Sequence, residues 1–395
     1  MQTNISLEEA QGLIMQHTCT LADENISVLA ALGRVSAADV NAPEDLPGRD
    51  QSAVDGFALS GQADAYQLTG AVKPGEVPLS LQLGQAIGVS TGINLPDETF
   101  AVIPFEKAEI KNNLLYSREK VTGGSNIKKA GEDFPSGSSL FQRGTVIGAA
   151  EISLLAAFGI TDIEVFRQPR VAVLCLSHNV VSWQSEPEPG QIRDSNGPLL
   201  GSLVKGDGGI PVDCCTVTAT DVPPRESAKK LLEQADMLII TGGTFAYGDN
   251  EARSLMKEMG AEILYWNIPV QPGCHSSASH CGNRLIFALS GNPGACAVGY
   301  HLFAAPALRA MQGFEPGPKR ITACCINGFP KKSNVRRFIR GHLSWSEAGW
   351  QVEVLPGQKP SMIRSLLQCN ALIDVPVNSP AIDAGKEVSV IILGT

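Results

Sequence analysis

Two glycine-containing turns hold the residues of this chain that are best suited to bind a phosphate. They are Thr241, Gly242, Gly243 and Thr244 in the first turn and Gly291, Asn292 and Pro293 in the second. Each turn follows an apparent strand, and glycines there let backbone N–H groups approach an anion while a helix N-terminus adds favourable partial charge. The first turn alone could be an ordinary strand-to-helix connection. Because open parallel sheets bind ligands at the carboxyl ends of their strands, the two turns together favour a binding site.

Other polar residues have a structural and a chemical interpretation. Asp194, Ser195 and Asn196 could cap a helix that begins near Leu199. Asp55 could be a turn residue that stabilises its own backbone. Its carboxylate also suits Mg²⁺ binding, or the positioning of a water for attack on a phosphoanhydride. Thr91 lies in a turn that could face the same binding cleft as Asp55 and the glycine turns.

Length and charge narrow the class of protein. A chain of 395 residues should form two to four domains. Its net charge of −9 argues against general nucleic-acid binding. No apolar run is long enough to span a bilayer, and the acidic N-terminus does not have the pattern of a signal peptide. Ten scattered cysteines fit reduced thiols, so we predict a cytoplasmic protein.

The residue pattern predicts elements that would position these groups. The first third has helices at 6–16, with Ser6 as N-cap and Glu9 in a capping box, and at 26–31. Short strands follow from residue 41 to about 141, then a helix at 149–158. After Pro169, strands at 171–176, 212–217 and 237–241 alternate with helices at 199–205, 225–234, 251–259 and 295–311. This alternation predicts a parallel sheet with helices on both faces, followed by a β-rich tail from Ile321.

Seven stretches in order resemble MoeA and the related domain of gephyrin. They are LGRVSAADVNAPEDLP (32–47), QSAVDGFAL (51–59), STGINLP (90–96), NIKKAGEDF (126–134), GQIRDSN (190–196), TGG (241–243) and LSGNPGA (289–295). One such motif would be weak support, whereas seven in the family's order are strong.

The resemblance implies an α/β multidomain fold. Its centre is a doubly wound α/β domain of the MoaB/Mog type, with an inserted β-domain and a C-terminal β-barrel. The implied boundaries are a helical and linker domain at 1–49 with 141–168, the inserted β-domain at 50–140, the molybdopterin-binding α/β domain at 169–315 and the barrel at 316–395.

The resemblance also implies an activity in molybdenum cofactor biosynthesis. The family inserts molybdate into adenylylated molybdopterin and releases AMP in a Mg²⁺-dependent step. It is a homodimer whose active cleft lies between the α/β domain of one subunit and the inserted domain of the other. A Mog-type adenylyltransferase is an implied partner.

Residue roles carry over where the motifs match. Asp55, Thr91 and Glu251 correspond to catalytic positions, and Asp194, Ser195 and Asn196 border the nucleotide pocket. Asp249 and Glu251 could replace metal-binding acids if the chain has a one-residue insertion after the first turn; otherwise the last acid falls on Asn250. Family acids also match Glu106, Glu132 and Asp133.

Several departures from the family pattern predict altered chemistry. Where the family has S-T-G-D-E-L, this chain has Cys175 to Val180, with His178 and Asn179 in place of both acids. Where it has K-P-G-K-P, this chain has Gln271 and Cys274 in place of two lysines that hold anions. The alternative function is therefore a catalytically impaired MoeA-like paralogue that binds molybdopterin as a carrier, scaffold or regulator.

A cysteine and histidine cluster has no counterpart in the family. Cys274, His275, His280 and Cys281 could bind Zn²⁺ or another transition metal, and a metal-sensing derivative is the third class of function. The spacing fits no standard zinc module, so the pattern favours a surface hairpin.

Overall fold

In a computed structural model of the chain, which describes residues 5–76, 80–217, 224–244 and 250–394, the apolar run after Pro169 forms a buried strand. This strand is the second of six in a central sheet. In spatial order the strands are Ile210–Val217, Arg170–Leu176, Met237–Gly242, Arg284–Leu289, Ser277–Cys281 and Glu262–Trp266. The first four are parallel to one another, as the sequence predicts.

The last two strands of the sheet are antiparallel, which the sequence did not predict. Strand Ser277–Cys281 connects to Arg284–Leu289 through only Gly282 and Asn283. A connection of this length can join only antiparallel neighbours, because a parallel pair needs a crossover of a dozen or more residues. The parallel sheet therefore ends in an antiparallel edge.

Both faces of the central sheet are covered by helices. Val171 and Val173 belong to one apolar core, whereas Ala172 and Leu174 belong to the other. The helices against the first core are Leu7–Gln16, Asn196–Gly206 and the consecutive segments Pro293–Gly299, Tyr300–Ala304 and Ala305–Met311. Those against the second are Pro224–Gln234 and Glu251–Glu258. Ser6 and Glu9 form the predicted capping box at the start of Leu7–Gln16.

The C-terminal residues form the predicted β-barrel. Its five strands, in order around the barrel, are Arg336–Ser346, Gly349–Val354, Arg320–Cys325, Lys386–Ile392 and Ala371–Val375. The last strand pairs with the first, which closes the barrel around a core that includes Ile339, Val352 and Ile373. A short strand, Val270–Gln271, extends from the central α/β part and pairs in parallel with Arg336 and Arg337. A 3₁₀ turn, Arg364–Leu366, precedes the last two strands.

The chain divides into two compact units, and the elements above belong to the unit of Met1–Glu24 with Phe166–Thr395. The second unit, Asn25–Val165, contains a sheet with the strand order Thr99–Pro104, Gly56–Ser60, Gln85–Val89, Tyr66–Ala71, Leu114–Ser117 and Ala108–Lys111. It also contains the helix Ala149–Ala157, the 3₁₀ turns Val28–Ala31 and Phe105–Lys107, and the short strand pairs Val40–Asn41 with Ser139–Phe141 and Gln51–Ser52 with Ile127–Lys128.

The predicted helix at 26–31 is wrong in extent and type. Ile26 lies in the strand Asp23–Ser27, which pairs with Asp162–Phe166, and only the 3₁₀ turn Val28–Ala31 follows. Pairing with a distant strand satisfies this backbone, and such tertiary contacts override local helix propensity. Within the part of the chain that is described, no helix is long and apolar enough to cross a membrane.

One buried carboxylate connects three segments of the larger unit. Asp374 is 7% exposed and accepts hydrogen bonds from Arg336 at 2.7 and 2.9 Å and from Arg320 at 2.7 Å. Arg336 also donates to Glu8, at 2.6 Å. Burial alone raises the pKa of Asp374, but the two guanidinium groups outweigh burial and hold this pKa below its ordinary value.

We predict that Asp374→Asn lowers the free energy of unfolding by about 3 kcal/mol, because it leaves two part-buried guanidinium groups without their shared carboxylate. Since the pKa of Asp374 is lower in the folded state, this stabilisation is present above about pH 4 and is lost as the pH falls further. Urea unfolding at pH 7 and at acid pH measures both effects. Exposed Asp383→Asn is the control. An Asp374→Asn variant as stable as this control at pH 7 would contradict the assignment.

Candidate functional site

The two glycine turns identified in the sequence lie side by side at the carboxyl ends of adjacent parallel strands. Thr241 is the register partner of Leu289. Gly242 and Gly243 have φ angles of +87° and +62°, a conformation that favours glycine. A Cβ added to Gly291 would lie 3.2 Å from the Cα of Gly242, so the two backbones are in close contact. The turns therefore present their peptide groups to one region.

The side chain of Asn196 connects both turns. Its Nδ2 donates to Oγ1 of Thr241 at 2.9 Å and to the carbonyl oxygen of Gly291 at 2.8 Å. Thr241 in turn donates from Oγ1 to the carbonyl oxygen of Ser290 at 3.2 Å. The Oδ1 atom of Asn196 is buried and has no hydrogen-bond partner among the described residues. A buried acceptor without a partner is costly unless a ligand donates to it.

Asp194 caps the helix that carries Asn196. This helix begins at Asn196, three residues earlier than predicted, and Oδ1 of Asp194 accepts the N–H groups of Asn196 and Gly197, each at 2.9 Å. Its Oδ2 accepts from Oγ1 of Thr216 at 3.0 Å. Ser195 occupies the N-cap position without a side-chain cap. Asp194 thus positions Asn196 instead of offering a free carboxylate.

A cavity of about 760 Å³ opens above these groups, a volume typical of sites for small organic ligands. Its lining includes all ten residues predicted to bind the ligand: Asp194, Ser195, Asn196, Thr241, Gly242, Gly243, Thr244, Gly291, Asn292 and Pro293. The other lining residues include the cation Arg193 and the apolar side chains of Val180, Ile192 and Ile363. Burial, and then the carboxylate of Asp194, raise the pKa of Cys175 far above its ordinary value, so this lining thiol stays neutral. The cavity combines apolar walls with polar backbone at its base.

Of the two predicted metal ligands, Glu251 is described and Asp249 lies outside the described residues. The Oε1 atom of Glu251 lies 2.5 Å from Nε2 of His178, which stands where the family motif has an acid. No group of three or more histidine, cysteine, aspartate or glutamate side chains among the described residues could hold a metal ion. The described residues alone do not supply the oxygen ligands that Mg²⁺ prefers.

Asp55 and Thr91 lie together in the unit Asn25–Val165. Oδ1 of Asp55 accepts the backbone N–H of Thr91 at 2.7 Å and its Oγ1 hydroxyl at 3.2 Å. Both residues are exposed, so the second oxygen of the carboxylate faces solvent. Of the other family acids, Glu132 accepts the N–H of Lys129 and Asp133 pairs with Lys128. Those two acids have structural partners, whereas Asp55 retains an open oxygen.

The cysteine and histidine cluster is not a metal site. Cys274, His275, His280 and Cys281 are all described and do not come together as a group of metal ligands. The predicted hairpin is present, because Ser277–Cys281 pairs antiparallel with Arg284–Leu289 across Gly282 and Asn283. Its predicted surface position is wrong, because the hairpin lies in the central sheet and Ser277 to Ser279 are buried. His280 stacks on His17 instead, with ring centroids 4.1 Å apart.

Arg340 is a candidate that the sequence reasoning missed. It is 1% exposed, and Nη2 donates to the carbonyl oxygens of Gly357 and Lys359 at 3.2 and 3.3 Å. Its Nε and Nη1 are buried without a partner among the described residues. A Cβ on Gly294 would collide with Nη1 of Arg340, so this cation lies against the helix that begins at Pro293. Burial lowers the pKa of Arg340. Arg340 is one of three arginines in the strand Arg336–Ser346, and nothing in their spacing singled it out.

Comparison with known proteins agrees with this architecture. Three family models match in order: the MoeA N-terminal region (domain I and II) at 5–159, the probable molybdopterin binding domain at 172–310 and the MoeA C-terminal region (domain IV) at 323–393. A molybdopterin molybdenumtransferase from Staphylococcus epidermidis is 29% identical over 99% of this chain and 96% of its own length. One from Staphylococcus aureus is 28% identical over 98% of this chain and 95% of its own length.

Solved structures are similar over the same extent. Two structures of a molybdopterin biosynthesis MoeA protein from Pyrococcus horikoshii have TM-scores of 0.85 and 0.82, at 27% and 25% identity. Each match covers 98% of this chain, with 99% and 100% of the respective solved chain. Three family models along the chain, with relatives and structures similar over nearly its whole length, lead to one conclusion: this protein belongs to the MoeA family of molybdenum cofactor biosynthesis.

Proposed function

We propose that this protein inserts molybdate into adenylylated molybdopterin and releases AMP. The observation that carries the proposal is the contact between the two glycine turns beneath a cavity of about 760 Å³. Peptide N–H groups of the turns would bind the phosphate, and the unpartnered Oδ1 of Asn196 would accept an N–H of the ring system. Arg193, which lines the cavity and also pairs with Glu186, would offset part of the negative charge of the substrate.

The roles of Asp55 and Thr91 in this proposal rest on the family resemblance and on their mutual hydrogen bonds. Thr91 holds one oxygen of Asp55, which leaves the other to orient a water for attack on the phosphoanhydride. Glu251 is a further catalytic candidate, positioned by His178. Mg²⁺ would need oxygen ligands beyond Glu251, and no group of three or more histidine, cysteine, aspartate or glutamate side chains among the described residues supplies them.

The proposal includes the assembly that the resemblance implies. We propose the division into 1–49 with 141–168, 50–140, 169–315 and 316–395, and a homodimer in which the inserted domain of one subunit serves the α/β domain of the other. A Mog-type adenylyltransferase would supply the adenylylated substrate. The cytoplasm is the compartment we expect.

A catalytically impaired paralogue is the second candidate, and two observations favour it. Glu251 interacts with His178, and the two lysines of the family motif are replaced by Gln271 and Cys274. Removing one preorganised charge from an active site costs about 10²- to 10³-fold in rate. Under this candidate the protein binds molybdopterin as a carrier, scaffold or regulator without turnover.

The two candidates make different predictions for Asp55→Asn. If the protein is the transferase, this change keeps the side-chain shape and lowers the rate of AMP release by about 10²-fold or more, because the water loses its orienting carboxylate. AMP release from adenylylated molybdopterin with molybdate, and metal bound to the product pterin, are the measurements. Asp64→Asn, an exposed aspartate of the same unit, is the control. Stoichiometric binding of the pterin with no turnover in the parent protein would favour the carrier.

A second prediction concerns binding at the glycine turns. Asn292 is exposed, and it occupies a helix N-cap position that aspartate fills equally well. Asn292→Asp should therefore leave the melting temperature unchanged. It should weaken AMP binding about tenfold or more, because a carboxylate then faces the phosphate. Calorimetric titration with AMP measures this.

Asn378→Asp is the matched control, since Asn378 is an exposed asparagine of the barrel that does not line the cavity. It should bind AMP like the parent. If Asn292→Asp also binds AMP like the parent, the phosphate does not lie at the second turn.

A further inference from the structure

A second cavity, of about 440 Å³, lies where the barrel meets the strand Val270–Gln271. Three cationic side chains line it, those of Lys331, Arg337 and Lys359, and no acidic residue does so among the residues described. Like charges in one concave site repel one another, and low-dielectric walls concentrate their potential. This arrangement favours the binding of an anion.

Arg337 is poorly compensated in comparison with its neighbour. Its Nη2 donates to Oε1 of Gln271 at 2.6 Å, and its guanidinium lies 5.5 Å from the ring centroid of Phe329. Nε is buried without a hydrogen-bond partner, and no carboxylate within the described ranges forms a salt bridge to Arg337. Arg336, the preceding residue, pairs with both Asp374 and Glu8. The barrel thus neutralises one arginine and leaves the other charged toward the cavity.

The contact between Arg337 and Gln271 places a cation beside a position where the family motif has a lysine. Gln271 occupies the first position at which the family motif has a lysine, and Arg337 is its register partner on the adjacent strand. Parallel pairing places the two side chains on one side of the sheet, where the guanidinium reaches the amide oxygen. A positive charge that is absent from position 271 is therefore present one strand away.

The same loop connects this cavity with the glycine turns. Gly357 and Lys359 line the cavity, and their carbonyl oxygens accept from Arg340. The carbonyl oxygen of Pro360 accepts the N–H of Gly294, which follows the second turn, at 2.9 Å. Ser361 lines the cavity above the turns. An anion held beside Lys359 would lie next to the site of the pterin.

We propose that Arg337 supplies the cation that position 271 lacks, so that this cavity still binds a tetrahedral oxyanion where the family motif holds anions with lysines. The inference rests on the proposed function, in which molybdate is the oxyanion. The guanidinium offers paired N–H donors that match two oxygens of such an anion, and Lys331 and Lys359 add point charges. Arg337 is thus a specificity-determining residue of this chain.

A charge-transfer experiment within the Arg337–Gln271 pair tests the proposal. Calorimetric titration of the full chain with molybdate should give an affinity about tenfold or more lower for Arg337→Gln, since a charged hydrogen-bond donor is lost. Adding Gln271→Lys to that variant returns a cation to the same contact and should restore most of the affinity. Exposed Arg284→Gln, at the start of the strand Arg284–Leu289, should bind molybdate like the parent.

Three results would overturn the inference: no molybdate binding by the parent, parent-like binding by Arg337→Gln, or no rescue by Gln271→Lys in a variant that melts at the parent's temperature. AMP titration of the same proteins separates this inference from the proposed function. Loss of molybdate binding with intact AMP binding rejects only the oxyanion site. Intact molybdate binding with no AMP binding rejects the transferase and leaves the oxyanion site standing.

Discussion

The buried amide of Asn196 is the interaction on which the candidate site depends. Its Nδ2 hydrogen bonds join the end of one parallel strand, at Thr241, to the turn after the next strand, at Gly291. Asp194 fixes the start of the helix that carries this amide. The central sheet places the ends of two strands side by side. The hydrogen bonds of Asn196 then hold the turns that follow these strands in a fixed position relative to each other. Without it the glycine backbones would retain wide conformational freedom.

Positive charge lies at a different position here from the one that the family motif implies. The replacement of a motif lysine by Gln271 therefore does not remove all positive charge from this part of the structure. A glutamine alone cannot replace a lysine. However, Gln271 lies beside Arg337, so the loss of charge at that position is local and not complete. His178 similarly stands where an acid is expected and interacts with Glu251. Comparison of position 271 alone with the family motif overstates the loss of positive charge, because Arg337 on the neighbouring strand carries one.

The sequence was most informative where local physics decides the outcome. The run Val171 to Leu176 has to be buried on both faces, and Ser6 with Glu9 specifies a helix start. Sequence-based prediction failed where contacts with residues distant in the chain determine the secondary structure. The strand containing Ile26 and the antiparallel strand Ser277–Cys281 both depend on partners elsewhere in the chain.

The candidate site follows the same rule. Motif spacing identified the residues around both glycine turns, because each turn is a local backbone signal. Arg340 had no such signal, since its importance arises from burial against Gly294, 46 residues away in the chain and on another element. The start of the helix at Asn196 was misplaced because Asp194 bonds two N–H groups that precede the apolar face.

The most direct test of the account is a crystal structure of this protein with bound molybdopterin. The account predicts that the phosphate lies within hydrogen-bond distance of backbone N–H groups in the Gly242–Thr244 and Gly291–Asn292 turns, with a ring N–H directed at Oδ1 of Asn196. Pterin bound elsewhere, or a cavity that stays empty at saturating pterin, would contradict it.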